Sequence, residues 1–269
     1  MERVHIVGIS PRTGTTLLAE LMTCCFEFDG WAKHELNVYY SPKPKVARFC
    51  SKNPRDLLRA SRYLRRFSKL WILCMVRDPR DIIVSRHGLA PDAFWSNLGI
   101  IEPRYRVLNQ ISKHPRFITV RYEDLVSDPD KVQAELEAKI PFLLRKYAFS
   151  SFDQVARPTQ KSLRAMNGLR AISTDSINRW KNDLPRVKAQ IERYGNIDEM
   201  LQVLGYETDS GWRDILDKVE ADNGKSHHED ECNSLLHKRI LNRAGIGLLE
   251  LRAFLGIHKA KPIVTKSSC

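Results

Sequence analysis

The sequence predicts an α/β fold: an open, mostly parallel sheet flanked by helices, with a helical C-terminal part. Three observations carry this. Residues 4–9 and 70–76 are continuous apolar runs, not alternating ones, as strands buried on both faces of a parallel sheet require. Stretches with helical spacing or helix-start residues follow them. A further short apolar run, residues 117–120, comes after another such stretch. Strand and helix alternating in this way give a parallel sheet with helices on its faces.

The first run, Val4 to Ile9, reads as a strand. A turn, residues 10–14, follows it. Leu17, Leu18, Leu21 and Met22 then recur at helical spacing. Pro54 is a good first helical residue and opens a second helix through Leu57, Leu58 and Tyr63. Residues 70–76 form the next strand, and Pro79 starts a helix running to Arg86. From about Ser150 the pattern is mainly helical, with Val187, Ile191, Tyr194 and Leu201 on one face of a helix over 186–204. These features divide the chain into a domain over 1–212, an acidic linker over 213–231 and a basic tail over 232–269. Over 217–231 of the linker, Asp217, Glu220, Asp222, Glu229, Asp230 and Glu231 face only Lys218 and Lys225, which predicts a solvated segment. The tail holds seven bases and one acid, and its residues 246–255 are an amphipathic helix in pattern. Packing back on the domain is the plain expectation for it, with peripheral membrane contact as the alternative.

Composition narrows the function. The 269 residues are 42% hydrophobic, which supports a packed core and excludes wholesale disorder. Lys and Arg total 44 against 32 Asp and Glu, a net charge of +12 that favours anionic partners. No run approaches the ~20 apolar residues that cross a bilayer, and no signal-peptide core follows Met1. The six cysteines form no C-x-x-C pair. A reduced, cytoplasmic protein without structural zinc is expected.

The turn after the first strand is where chemistry concentrates. A strand–turn–helix unit aims unpaired amides and a positive helix end at one point, and so binds phosphate or sulfate. Gly14 lets the backbone approach an anion. Thr13, Thr15 and Thr16 add hydroxyls, and Arg12 adds a fixed charge. Gly8 and Gly14 have five residues between them and no Lys follows Gly14. The loop is therefore P-loop-like without being the G-x-x-x-x-G-K-[ST] of ATP- and GTP-hydrolysing proteins, and no metal is expected with it.

Residues 11–18, Pro-Arg-Thr-Gly-Thr-Thr-Leu-Leu, resemble the 5′-phosphosulfate loop of sulfotransferases that use 3′-phosphoadenosine-5′-phosphosulfate (PAPS). Arg12 in place of the Lys of many cytosolic members is closer to the tyrosylprotein, carbohydrate and bacterial branches. Three further segments agree in order. Residues 75–85 are similar to the family's 3′-phosphate segment, with Arg77 ending a strand and Ser85 eight residues on. A guanidinium and a hydroxyl suit that grip. The additional Arg of tyrosylprotein sulfotransferases is Leu89 here, with Arg86 its nearest substitute. Residues 120–129 resemble the "YEDL" segment, which implies Tyr122 near the nucleotide. Residues 170–180 look like the closing segment, which implies Arg170, Thr174, Ser176 and Arg179 as donors, with Trp180 as a core anchor. The resemblance spans about 4–206.

The resemblance implies sulfuryl transfer from PAPS to an acceptor hydroxyl, leaving adenosine 3′,5′-bisphosphate (PAP). Lys52, in a short Lys-x-Pro segment, corresponds to a transition-state lysine and joins Arg12 in stabilising charge. Glu35, twenty-three residues after Arg12, corresponds to the general base, and His34 is the second candidate. A carbohydrate or glycolipid is the expected acceptor, with a small alcohol or peptide tyrosine second, and residues 31–40 and 89–106 are candidate contacts. Two other classes compete: a kinase-like nucleotide-binding enzyme, and a non-catalytic basic binder of nucleic acid or membrane surfaces. The missing Lys counts against the first and the absence of a nucleic-acid module against the second.

Overall fold

The structure, a computed structural model, describes residues 1–87, 90–222, 224, 226–227, 247–252 and 260–265. Ten strands occur among them: β1 (Glu2–Gly8), β2 (Gly30–Glu35), β3 (Ser41–Lys43), β4 (Arg48–Lys52), β5 (Leu70–Val76), β6 (Arg86–His87), β7 (Ala90–Phe94), β8 (Phe117–Arg121), β9 (Ala260–Pro262) and β10 (Val264–Thr265). Six form the central sheet in the order β10-β2-β4-β1-β5-β8. All its pairings are parallel except β10 on β2. The expected architecture is present, with helices on both faces.

Strand alternation sorts side chains between two cores. Val4 and Ile6 of β1, Cys50 of β4, and Leu73 and Met75 of β5 pack with Leu18, Leu21 and Met22 of helix α1 (Thr15–Cys25). Val7, Ile72, Cys74 and Val76 face the opposite core with Leu57, Tyr63, Ile101 and Trp180. Period-two geometry requires this division. β1 is buried along most of its length, which explains its unbroken apolar run.

β2 and β4 carry no such run, and no apolar pattern marks either as a strand. Their residues have other duties. Ser51 of β4 is buried and bonds His5 of β1, Oγ to Nδ1 at 2.8 Å. His5 Nε2 lies 3.2 Å from Asp56, at the start of the turn of helix that follows β4. Arg3 Nε donates to Ser51 at 2.9 Å. This buried polar network fixes the segment that presents Lys52. Burial holds the His5 imidazole below its ordinary pKa, although Asp56 opposes that shift.

Several expected elements end early or divide. The helix from Pro79 stops at Ile83, so Ser85 lies just beyond it. The stretch 186–204 is two helices, Leu184–Tyr194 and Asp198–Val203, separated at Gly195, whose φ of 94° no helix interior allows. Within the span expected as a solvated linker, Leu216 is buried. Ser226 accepts from Arg186, and the His227 ring stacks on Trp95 at 4.1 Å. These residues pack on the domain instead of extending into solvent.

Of the tail, 247–252 is helical, and 246 and 253–255 of the expected helix lie outside the described residues. Glu250 accepts from Tyr39 at 2.7 Å and pairs with Arg62 at 3.3 Å. β9 then pairs with β3, and β10 adds an edge strand to β2. Among the described residues, no helix is long and apolar enough to cross a membrane.

Candidate active site

Parallel pairing brings the C-terminal ends of β1, β2, β4, β5 and β8 to one edge of the sheet. β1 is flanked by β4 on one side and β5 on the other. The chain leaves β1 toward one side and later returns to the other, so a crevice opens beyond Gly8, as topological switch points produce. The loop after β1 enters that crevice. Lys52 ends β4, Glu35 ends β2, Arg77 follows β5 and Tyr122 follows β8.

Gly14 caps α1 with φ 85° and ψ 12°. A Cβ there would stand 2.6 Å from the Tyr122 ring. Backbone sign and close approach both require glycine. Gly14→Ala is expected to weaken nucleotide binding at least tenfold, since a left-handed Ala costs roughly 1–2 kcal/mol before any clash is counted. Calorimetry with PAP measures this, and unchanged affinity would show that the loop does not contact the nucleotide.

Arg12 also takes positive φ, 73°. Its Nε donates to Ser85 Oγ at 3.1 Å and a terminal nitrogen donates to the Ala165 carbonyl at 3.3 Å. Burial, with the neighbouring Arg77, lowers its pKa to about 10, so it stays charged at neutral pH. Arg77 is 6% exposed. It donates to the backbone carbonyls of Arg12 and Ser176, its guanidinium lies 4.6 Å from the centre of the Tyr122 ring, and Asp81 approaches to 3.8 Å. Its Nε is buried with no partner among the described residues. Such an orphan donor beside a cavity suits an incoming anion.

Two cavities meet at this loop. The smaller, about 150 Å³, is lined by Arg12, Gly14, Thr15, Thr16, Arg77, Tyr122, Arg170 and Ser176. The larger, about 670 Å³, shares Arg12, Thr15 and Thr16 with it and adds Glu35, His34 and Lys52. Lys52 Nζ donates to Thr16 Oγ1 at 2.5 Å. Register explains the meeting: Lys52 pairs with Ile6 on one side and Glu35 on the other, so its side chain lies on the α1 face. Burial lowers the Lys52 pKa, while Glu35 and Glu20 oppose that shift. The His34 pKa is lowered as well, by its limited burial first and then by Lys161, Lys33 and Lys52.

Not every expected residue joins the cavities. Thr13 is buried and its hydroxyl donates to the Ser10 carbonyl at 2.9 Å, so its side chain shapes the turn. Ser85 accepts from Arg12 and lies outside the lining of both cavities. Thr174 and Arg179 are exposed and line neither cavity; Arg179 donates to the Asp175 carbonyl. Arg170 lines the smaller cavity and donates to the Asn167 carbonyl. Arg86 lies over the Phe94 ring, and Leu89 falls outside the described residues. Trp180 is the anchor it was expected to be. It is buried, its amide donates to Asp81 at 2.9 Å, and its ring lies under the Arg80 guanidinium at 4.1 Å.

Glu20 was missed. It lines the larger cavity one helical turn past Thr16, and its Oε1 accepts from Ser162 at 2.5 Å. Burial raises its pKa, against the pull of Ser162 and Lys52. The spacing of Thr16, Glu20 and Thr23 along one helix face was its signal in the sequence.

Residues 26–140 match the model of the Sulfotransferase family. The matched span covers Glu35, Lys52, Arg77 and Tyr122 and begins after the anion loop. Over that span, which is less than half of its length, the chain is similar to the Sulfotransferase family. Among solved structures, it is similar to the sulfotransferase domain from the Synechococcus PCC 7002 olefin synthase at 14% identity, TM-score 0.46, covering 67% of this chain and 87% of that one. It is also similar to sulfotransferase STF1 from Mycobacterium tuberculosis H37Rv at 12% identity, TM-score 0.36, covering 63% and 72%. A third is retinol dehydratase in complex with androsterone and inactive cofactor PAP, at 12% identity, TM-score 0.37, covering 82% of each chain. No curated protein matches the sequence.

Proposed function

We propose that the smaller cavity and its rim take the adenosine 3′,5′-bisphosphate part of PAPS, and that the larger cavity takes the acceptor. One observation carries this reading: a single loop of amides, hydroxyls and guanidinium forms the wall common to both cavities. A sulfuryl group held there has the nucleotide on one side and an acceptor on the other. In-line displacement requires that arrangement.

In the proposed step, an acceptor oxygen bonds to sulfur as the bond from sulfur to the 5′-phosphate oxygen breaks. That electron pair stays on PAP. The acceptor proton passes to the Glu35 carboxylate, with His34 as the second candidate. Charge grows on the bridging oxygen and the sulfuryl oxygens, and Arg12, Lys52 and the amides of Gly14–Thr16 offset it. Arg77 holds the 3′-phosphate, and Tyr122 packs between it and Gly14. Trp31 and Trp95 in the larger cavity favour a carbohydrate or glycolipid hydroxyl, since sugar faces stack on such rings.

Titration calorimetry tests the donor assignment. PAP is expected to bind and ATP not to. Arg77→Ala is expected to weaken PAP at least tenfold, the scale of a lost charge-assisted contact. Equal binding of ATP, or no heat with PAP, would overturn the assignment.

A further inference from the structure

We infer that the acceptor is itself an anion, an acidic sugar or a sugar already carrying an acidic ester, and that Lys33, Lys161 and Arg164 recognise its charge. The inference rests on the larger cavity being the acceptor site and names the class of molecule that site takes.

Six cations line that cavity, Arg12, Lys33, Lys52, Arg55, Lys161 and Arg164, against the two carboxylates Glu20 and Glu35. Arg12 and Lys52 stand at the loop and answer to the sulfuryl group. Glu20 is engaged by Ser162. Lys33, Lys161 and Arg164 stand further out, at the mouth, and are exposed. None of the three has a hydrogen bond or ion pair among the described residues.

They come from two separate walls. Lys33 is on β2, and Lys161 and Arg164 are on the helix Gln160–Met166. The bond from Ser162 to Glu20 holds that helix against α1, and the helix and β2 line the same cavity. Lys161 and Lys33 both depress the His34 imidazole, so both fields reach one point. Cations gathered with no carboxylate paired to them repel one another, and an anionic ligand relieves the repulsion. A neutral acceptor would leave it in place. The donor does not account for these charges, because Lys33, Lys161 and Arg164 are absent from the smaller cavity.

Equilibrium binding in saturating PAP tests this with two probes, a β-1,4-linked glucuronate tetrasaccharide and the glucose tetrasaccharide of the same linkage. They differ only at C6, where the first has a carboxylate and the second a hydroxymethyl group. The glucuronate probe is expected to bind about tenfold more tightly or better, the scale of one hydrogen bond to a charged group. Its advantage should shrink as salt is raised. The double variant Lys161→Ala/Arg164→Ala is expected to lose the advantage while keeping its Tm and its PAP affinity. Equal affinity for the two probes, tighter binding of the glucose probe, no binding of either, or a preference that survives in the double variant would each overturn the inference. Retained PAP binding in those cases leaves the donor assignment standing, whereas loss of PAP binding in the unaltered chain removes both.

Discussion

Lys52→Ala is expected to lower kcat by about 10²–10³-fold, the scale set by removing one donor to charge that develops in a transition state. Lys52 Nζ bonds Thr16, inside the wall common to both cavities, so its ammonium stands where the sulfuryl group would sit. PAP affinity should change much less, because Arg77 and the loop amides remain. The lowered Lys52 pKa adds a pH signature. The ammonium is the working form, so activity falls as pH rises through that pKa, below the ordinary lysine value near 10.4. Bound donor brings negative charge and raises it again. The alkaline limb should therefore lie lower in kcat/KM, which reports the free enzyme, than in kcat. The variant should lack the limb. Wild-type turnover in Lys52→Ala would remove the lysine from the chemistry.

Glu35→Gln is expected to cut kcat by about 10²-fold or more with PAP affinity nearly intact, as loss of a general base does. The register of β2 on β4 sets Glu35 beside Lys52, on the same side of the sheet. The amide keeps the size and removes the proton acceptor. His34→Gln is the companion measurement. It should retain most of its turnover if Glu35 is the base, and the reverse outcome would transfer the role to His34. Turnover with radiolabelled donor sulfate reads both variants.

Much of the candidate site was legible because the proposed chemistry is local. The loop from Pro11 to Thr16 needs only the strand before it and the helix after it to become an anion site, and all three lie within about twenty-five residues. Arg77 and Tyr122 follow apolar runs that declare themselves as buried strands. β2 and β4 did not declare themselves. Ser51 is turned into a buried polar network and Lys52 into the cavity, so β4 lacks an apolar run. β2 bears Lys33, His34 and Glu35 at a cavity wall for the same reason. Residues that serve the site break the pattern by which strands are read.

The sequence by itself determined the α/β class, the strand–turn–helix unit after β1 and the order in which Arg12, Glu35, Lys52, Arg77 and Tyr122 come along the chain. Only the tertiary structure decided that Arg12 meets Ser85, that Thr13 turns inward, that Glu20 joins Lys52 and Ser162, and that β10 returns to the edge of β2. The physical reason is range. A strand–turn–helix unit is specified by neighbours in the chain, whereas strand order, register and the facing of two cavity walls depend on pairings between segments far apart in sequence, each selected by what else the fold must bury.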